Sequence, residues 1–323
     1  MEEKVETVEE VTETVEEVTE TEKNPVEKMK KSRDVGGIIA RILIYTFCIG
    51  HMLSLLIPFA WGFITTLKSP VDFRYNMFGL PKEWKFENYL TVLKHFTIEY
   101  KTVKYSQTFT YVDMMWNSIS YACLAAFTST MAQYFVAYAA AKFNFKFSKV
   151  LDAIVLFTMT IPIYGTAASE LQMSFRLGVI GNFWMVAVVT QMSFLGMSYF
   201  IIQACVRGIP AAFAESAEID GASNFTVLFH IYIPLTMNII ATLFFMDVIG
   251  LWNSYGVNLI QLPNRPVVAY GLWKFRETNI AEVSHVTIKL AGCFIQVLPV
   301  FVIFMIFHEK FMGSISLAEG IKE

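Results

Sequence analysis

Residues 207–235 read RGIPAAFAESAEIDGASNFTVLFHIYIPL, and they are the most informative stretch of the chain. Pro210 suits the first position of a helix, where its missing N–H costs nothing. Ala211, Ala212, Ala214, Ala217, Gly221 and Ala222 are small, so another surface can approach the backbone closely. Glu215 and Glu218, three apart, share one helix face. Gly221 can take the left-handed conformation that ends a helix. A second short helix then runs from Phe225 toward Pro234. The pattern predicts a compact helix–turn–helix with a small-residue face and a carboxylate edge. On these residues alone, an ordinary amphipathic connector satisfies the pattern as well.

Working outward, the stretch is flanked by apolar runs. Leu177–Val206 carries no charge, and Ile231–Asn264 is broken only by Asp247. A helix needs about 20 apolar residues to cross a bilayer. Four further runs reach or approach that length: Ile42–Leu67, Met114–Ala141, Ala153–Ser169 extended by Val150 and Leu151, and Leu290–Phe307. They predict an all-α membrane protein with six spans, at about 42–67, 114–141, 150–169, 177–206, 231–262 and 289–308. They divide the chain into a tail at 1–37, a six-span body at 38–313 that includes the connector at 207–230, and a C-terminal tail at 314–323. Barrel strands are excluded, because the runs are continuous rather than alternating. Pro58, Pro162 and Pro299 fall inside spans, which membrane helices tolerate when neighbours satisfy the freed backbone.

Composition agrees. Of 323 residues, 55% are hydrophobic and 16% charged. Residues 1–34 hold 12 acids and 6 bases, leaving 35 charges for the other 289 residues. That is too little polar surface for a water-soluble enzyme, so the body belongs in a bilayer. Cys48, Cys123, Cys205 and Cys293 sit in apolar runs without metal or disulfide spacing and read as small buried hydrophobes. The first run follows some 40 residues of charge-rich chain and is too long for a signal-peptide core. In the tail, VEEVTET at 8–14 repeats at 15–21. It reads as a disordered acidic tail or as a short helix for a basic partner.

Orientation is nearly balanced. With the N-terminus inside, the inner segments from Lys23 onward carry 12 Lys/Arg, and the outer segments also carry 12. The cluster Lys28, Lys30, Lys31, Arg33 and Arg41 before the first span favours the N-terminus inside.

The connector resembles the EAA loop of ABC importer permeases, whose pattern is EAA, three residues, Gly, roughly nine residues, then I-x-LP. Here it reads Glu215-Ser216-Ala217, Gly221, and Ile231-Tyr232-Ile233-Pro234, with the DGAS run at 220–223 typical of the carbohydrate-uptake branch. Ser216 and Ile233 replace residues of similar size. Other landmarks are similar: WGFITTLK at 61–68, Asn88-Tyr89, Trp116-Asn117-Ser118, Ala137–Ala140, Ile161-Pro162 and Trp252-Asn253. The ending, with Phe311, Gly313 and Lys322, resembles the family tail with altered spacing, since Gly320 falls later and Glu319 intrudes. The body is thus similar to the smaller, MalG-type membrane subunit of maltose-like importers. Residues 1–34 and 97–111 look like additions.

That resemblance implies a sugar or oligosaccharide importer in a prokaryotic plasma membrane, with both termini cytoplasmic. It implies a heterodimer with a second permease, two ATP-binding subunits and an extracytoplasmic solute-binding protein. Nucleic acid is not a partner. Glu215, Ser216, Ala217, Asp220, Gly221, Ala222 and Pro234 become ATPase-coupling residues. The small face at Ala214, Ala217 and Gly221 would dock in the ATPase, with Glu215 and Asp220 pairing basic groups at the cleft rim. No GxxxxGK[ST] occurs, so ATP and Mg belong to the partner and no cofactor or metal is expected on this chain. The outer connections, 69–113 and 262–285, are expected to meet the solute-binding protein, the former carrying a small helix near Phe86–Leu93.

For the substrate path, Asp247 is an acid inside a span and reads as a pathway group or as a bond to a neighbouring helix. Asn117, Trp252 and Asn253 have sugar-binding side-chain types, although Trp also belts membrane interfaces. A self-sufficient secondary transporter or channel is the alternative, and it leaves the 207–234 loop unexplained. An intramembrane enzyme finds no HExxH, GxSxG or clustered acid–base set.

Overall fold

The computed structural model describes residues 35–102, 106–143, 147–161, 166–192 and 196–320. The acidic repeat at 8–21, Pro162 and Lys322 lie outside them. Two compact units divide the chain, 1–62 and 63–323. What is described of the first lies in helix α1, Val35–Thr66. Its side chains from Ile42 to Phe59 are largely exposed apolar groups, with Phe47 and His51 stacked at 6.5 Å.

The second unit begins with a cap. Lys68 is buried, and its ammonium donates to the carbonyls of Asn76 and Met77 at 2.7 and 3.1 Å. Asn88 donates to the Thr66 and Lys68 carbonyls, at 2.7 and 2.9 Å. These are the groups a helix leaves unpaired at its C-terminal end. Helix α2, Pro70–Tyr75, is capped by Ser69, and α3, Glu87–His95, occupies the expected Phe86–Leu93 region.

The all-α expectation needs one correction. Strands β1, Ile98–Lys101, and β2, Ser106–Phe109, pair antiparallel with Ile98 opposite Phe109. Ile98 and Phe109 turn inward while Glu99, Lys101 and Thr108 stay exposed or half-exposed, the period-two signal of a half-buried strand.

Helix α4, Tyr111–Lys142, contains the expected span 114–141 and starts at a Thr110–Asp113 capping box. Expected span 150–169 is not one helix. It is α5, Ser148–Thr160, and α6, Thr166–Arg176. Ile161 precedes a proline and is extended, because the proline ring disfavours helical geometry there. Expected span 177–206 is also broken, into a π-helical turn at Met185–Val189 and α7, Met197–Gly208, with Gly196 fully extended before α7.

After α7 come α8, Ala212–Ile219, α9, Asn224–Val227, a π-helical turn at Leu228–Tyr232, and α10, Ile233–Asn253. Ser254 is extended, so expected span 231–262 ends at Asn253 and a short α11, Gly256–Ile260, follows. Helices α12, Val268–Glu277, and α13, Val286–Gly320, complete the chain. The helix thus continues through 314–320, where a tail was expected.

Among the described residues, three helices are long and apolar enough to cross a membrane: Gly37–Thr66, Asn224–Asn253 and Val286–Phe307. A fourth is counted if α7 and α8, bent by 66°, form one broken span. Helix α4 is long enough but more polar, because Ser118, Thr130, Gln133 and Tyr134 face the interior. It packs along both α7 and α10. One apolar core joins α4, α5, α7, α8 and the start of α10, through residues such as Tyr134, Ala137, Val155, Val206 and Tyr232. Another joins α3, the hairpin, α12 and α13 through Val92, Phe96, Ile98, Phe109, Phe275 and Ile288.

Gly271 sits where this second core meets α4. A Cβ there would lie 2.6 Å from Phe96 and 2.7 Å from the Met114 sulfur. Gly271→Ala is therefore expected to destabilise the protein by about 1–3 kcal/mol through overpacking. Thermal unfolding in detergent should show a lowered midpoint, and an unchanged midpoint would contradict this packing.

Candidate functional site

The 207–234 loop is built from backbone rules. Ile209 is extended and Pro210 follows it, one residue before the N-cap Ala211 rather than at the first helical position. Phe213 donates to the Pro210 carbonyl at 3.3 Å, and Glu215 to that of Ala211 at 3.0 Å. Helix α8 ends at Gly221, with φ +82°. The Gly221 N–H reaches the Glu218 carbonyl at 3.1 Å and the Ala222 N–H reaches that of Ala217 at 2.9 Å. This paired closure needs the left-handed residue that glycine supplies. Ser223 then caps α9 by accepting from the Thr226 N–H at 3.3 Å.

The expected second helix does not stop before Pro234. Residues 224–253 run as one helix through the π turn at 228–232. A proline has no N–H to donate and its ring presses on the carbonyl four residues back. A wide turn just before Pro234 relieves both.

The expected small face is divided: Ala214 and part of Ala217 turn toward the bundle, while Gly221 stays in solvent. Ala214 is fully buried and Ala217 packs beside it, against the cluster that holds Tyr138, Val206, Val227, Leu228 and Tyr232. Alanine-sized side chains let α8 lie flat on its own bundle. The solvent side carries Glu215, Ser216, Asp220 and Gly221 with Phe213 (54% exposed), Ile219 (86%) and, from α9, Phe225 (76%). Sequence reasoning missed these three apolar side chains. Their signal was an apolar residue on either side of the carboxylate edge.

Around the loop, Glu218 lies 3.5 Å from Lys142 at the end of α4. Asp152 on α5 accepts from the Tyr199 hydroxyl at 2.6 Å and from Gln203 at 2.8 Å, with Arg207 at 3.7 Å. This polar knot ties α5 to α7 where the loop leaves the bundle. The sequence displayed it only as an acid near the start of an apolar run.

The family described as binding-protein-dependent transport system inner membrane component matches residues 133–311, from the middle of α4 to α13. The chain belongs to that family. Its relatives are permeases. It is 23% identical over 266 residues to the diacetylchitobiose uptake system permease protein NgcG of Streptomyces coelicolor, covering 81% of this chain and 82% of the other. It is 25% identical over 214 residues to the galactooligosaccharides transport system permease protein GanQ of Bacillus subtilis, covering 66% and 75%. A crystal structure of a bacterial ABC transporter that imports alginate contains a chain of similar fold, with TM-score 0.67 and 23% identity over 87% of this chain and 98% of that one. The protein is thus a permease subunit of an ABC importer, an inner membrane component of a binding-protein-dependent transport system.

The substrate-path candidates of this permease are engaged in separate bonds. Asn117 donates to the Pro266 carbonyl at 3.1 Å. Asp247 accepts from the Thr130 hydroxyl at 3.4 Å, joining α10 to α4 within this chain. Trp252 is buried and its indole N–H donates to the Gln296 carbonyl at 3.2 Å. Asn253 is brought to the same Gln296, whose amide lies 3.5 Å from its side-chain oxygen. The structure therefore unites Trp252 with Asn253, and gives Asn117 and Asp247 other partners.

Asp152→Ala removes the acceptor of the Tyr199 hydroxyl and one of two acceptors of the buried Gln203 amide, which keeps the Tyr199 oxygen at 3.1 Å. The expected loss is about 1–3 kcal/mol, the cost of a stranded buried donor. Denaturation in detergent, compared with Tyr199→Phe, checks it. An Asp152→Ala variant as stable as the parent would contradict the knot.

Proposed function

We propose that this permease carries a sugar or oligosaccharide and that its 207–234 loop is the coupling element for a partner ATPase. The single observation that carries the coupling reading is the form of α8. It is a short helix with a fixed end at Gly221, seated on α4, α7 and α10 by Ala214 and Ala217, with Phe213, Ile219 and Phe225 left in solvent. Exposed apolar side chains ringed by carboxylates suit a protein partner. Each large apolar side chain buried there would contribute about 1.5–3 kcal/mol. Glu215, Asp220 and Ser216 supply charge and hydrogen bonds at the rim. Gly221 and Ala222 close the helix, and Pro234 with the π turn passes the movement into α10.

On this reading the chain pairs with a different permease, and two ATP-binding subunits hold ATP and Mg. An extracytoplasmic solute-binding protein delivers the cargo. The chain crosses the inner membrane six times, α5–α6 and the 185–208 region as broken spans, with both termini cytoplasmic. Broken helices are tolerated at membrane depth where protein surrounds them. The carbohydrate class draws on the relatives, which are named for diacetylchitobiose and galactooligosaccharides. Along the path, Ser129, Thr130, Gln133 and Asp247 form a polar strip between α4 and α10 suited to hydroxylated cargo.

Gly221 has open space around its Cα, so a substitution there meets backbone strain rather than a clash. Leucine in this conformation costs about 1–2 kcal/mol, while asparagine tolerates it. In the reconstituted complex, Gly221→Leu should hydrolyse ATP but take up little of whichever labelled sugar the parent imports, diacetylchitobiose or galactooligosaccharide. Gly221→Asn should stay near the parent. Full uptake by Gly221→Leu would sink the coupling reading.

A further inference from the structure

Lys142, the last residue of α4, stands among three elements. Its ammonium lies 3.5 Å from a Glu218 carboxylate oxygen on α8. It also lies 5.8 Å from the centre of the Tyr232 ring, in the π turn that leads into α10. Tyr232 in turn meets Tyr138 of α4 edge-on, with 5.1 Å between centroids and 68° between planes. The junction therefore joins the loop helix, the end of α4 and the start of α10 through one cation.

Two kinds of contact hold α8 here, and they resist different movements. The Ala214 and Ala217 packing is apolar and non-directional, so it opposes compression but permits sliding. The Lys142 head, fixed between a carboxylate and an aromatic face, opposes sliding. The Lys142 and Glu218 side chains keep 20% and 47% of their exposure, and pairs this open add little to folding stability. The contact's value is geometric. Because α4 packs along both α7 and α10, displacement at its end is felt by much of the bundle.

We propose that Lys142 is a positioning residue: it holds Glu218 and Tyr232 so that displacement of α8 passes sideways into α4, and not only along the chain into α7 and α10. The inference rests on the coupling reading of the loop. Lys142 is not a docking group for the ATPase, since it is engaged within its own chain.

The test needs no knowledge of the cargo. The complete complex is compared at rest and trapped with Mg-ATP and vanadate, and hydrogen exchange is followed in peptides covering 111–142. Vanadate-trapped nucleotide is counted in parallel, to confirm that the ATPases close. Trapping should alter exchange along α4 in the parent. Lys142→Glu and Glu218→Lys should each shrink that change about fivefold while nucleotide trapping holds, in line with the usual size of such coupling effects. The double reversal, Lys142→Glu with Glu218→Lys, re-forms the ion pair without the cation at the Tyr232 face, so it should restore the change in part, and Lys142→Arg, which keeps both contacts, should preserve it. If a single reversal fails to assemble, the charge-removing Lys142→Met and Glu218→Gln give the same reading. Parent-sized changes in the single variants, or no recovery in the double reversal, would overturn the role of Lys142 and leave the coupling reading standing. A parent whose ATPases trap nucleotide without any change in α4 or in 207–234 would overturn the coupling reading and this inference with it.

Discussion

A backbone carbonyl or amide released by a helix break inside a membrane protein must find another partner, because hydrocarbon offers none. This fold breaks its helices repeatedly, and the breaks decide which side chains appear beside them. Asn88 takes the carbonyls of Thr66 and Lys68 where α1 ends. Asn258 takes those of Leu262 and Arg265, and Asn264 takes that of Gly181. The buried Lys68 ammonium does the same for Asn76 and Met77. At Gly221 the chain closes α8 on itself, using the one residue type that reaches the required φ cheaply. A helix closed this way resists fraying, and on the proposed coupling reading that stiffness lets a short surface helix transmit a push.

The same constraint explains how much was legible beforehand. Long apolar runs revealed the membrane class and the regions of α1, α4, α10 and α13, because apolar length is a local property. Gly221 was legible as a helix end for the same reason. The breaks near Ile161 and between residues 189 and 197 were not, since a charge-free run looks alike whether it is one helix or two. The hairpin at 98–109 was hidden by its shortness, although its alternation was present. In the site, the alanine face was visible but its direction was not. Spacing says which residues share a face; only the Tyr138–Tyr232 surface beneath shows that Ala214 and Ala217 are already used.

That difference changes the chemistry of the loop. A small-residue face turned outward would have made close backbone approach the basis of partner recognition. With Ala214 buried and Ala217 half-buried, α8 is part of the bundle, and on the proposed coupling reading recognition would fall to Phe213, Ile219 and Phe225 with the rim of Glu215, Ser216 and Asp220. Helix α4 links this end to the other. Its lower half carries Tyr134, Tyr138 and Lys142 against the loop, and its upper half packs Met114 beneath α12. The Asp152 knot keeps α5 in register with α7 beside the same junction.

The central claim is that this permease works as one part of an ATP-driven assembly that grips the 207–234 loop. It is tested most directly by purifying the tagged full chain in mild detergent and identifying by mass spectrometry what accompanies it. The account predicts a P-loop ATPase and a second, different permease. The same chain recovered alone, folded and stable, would contradict it.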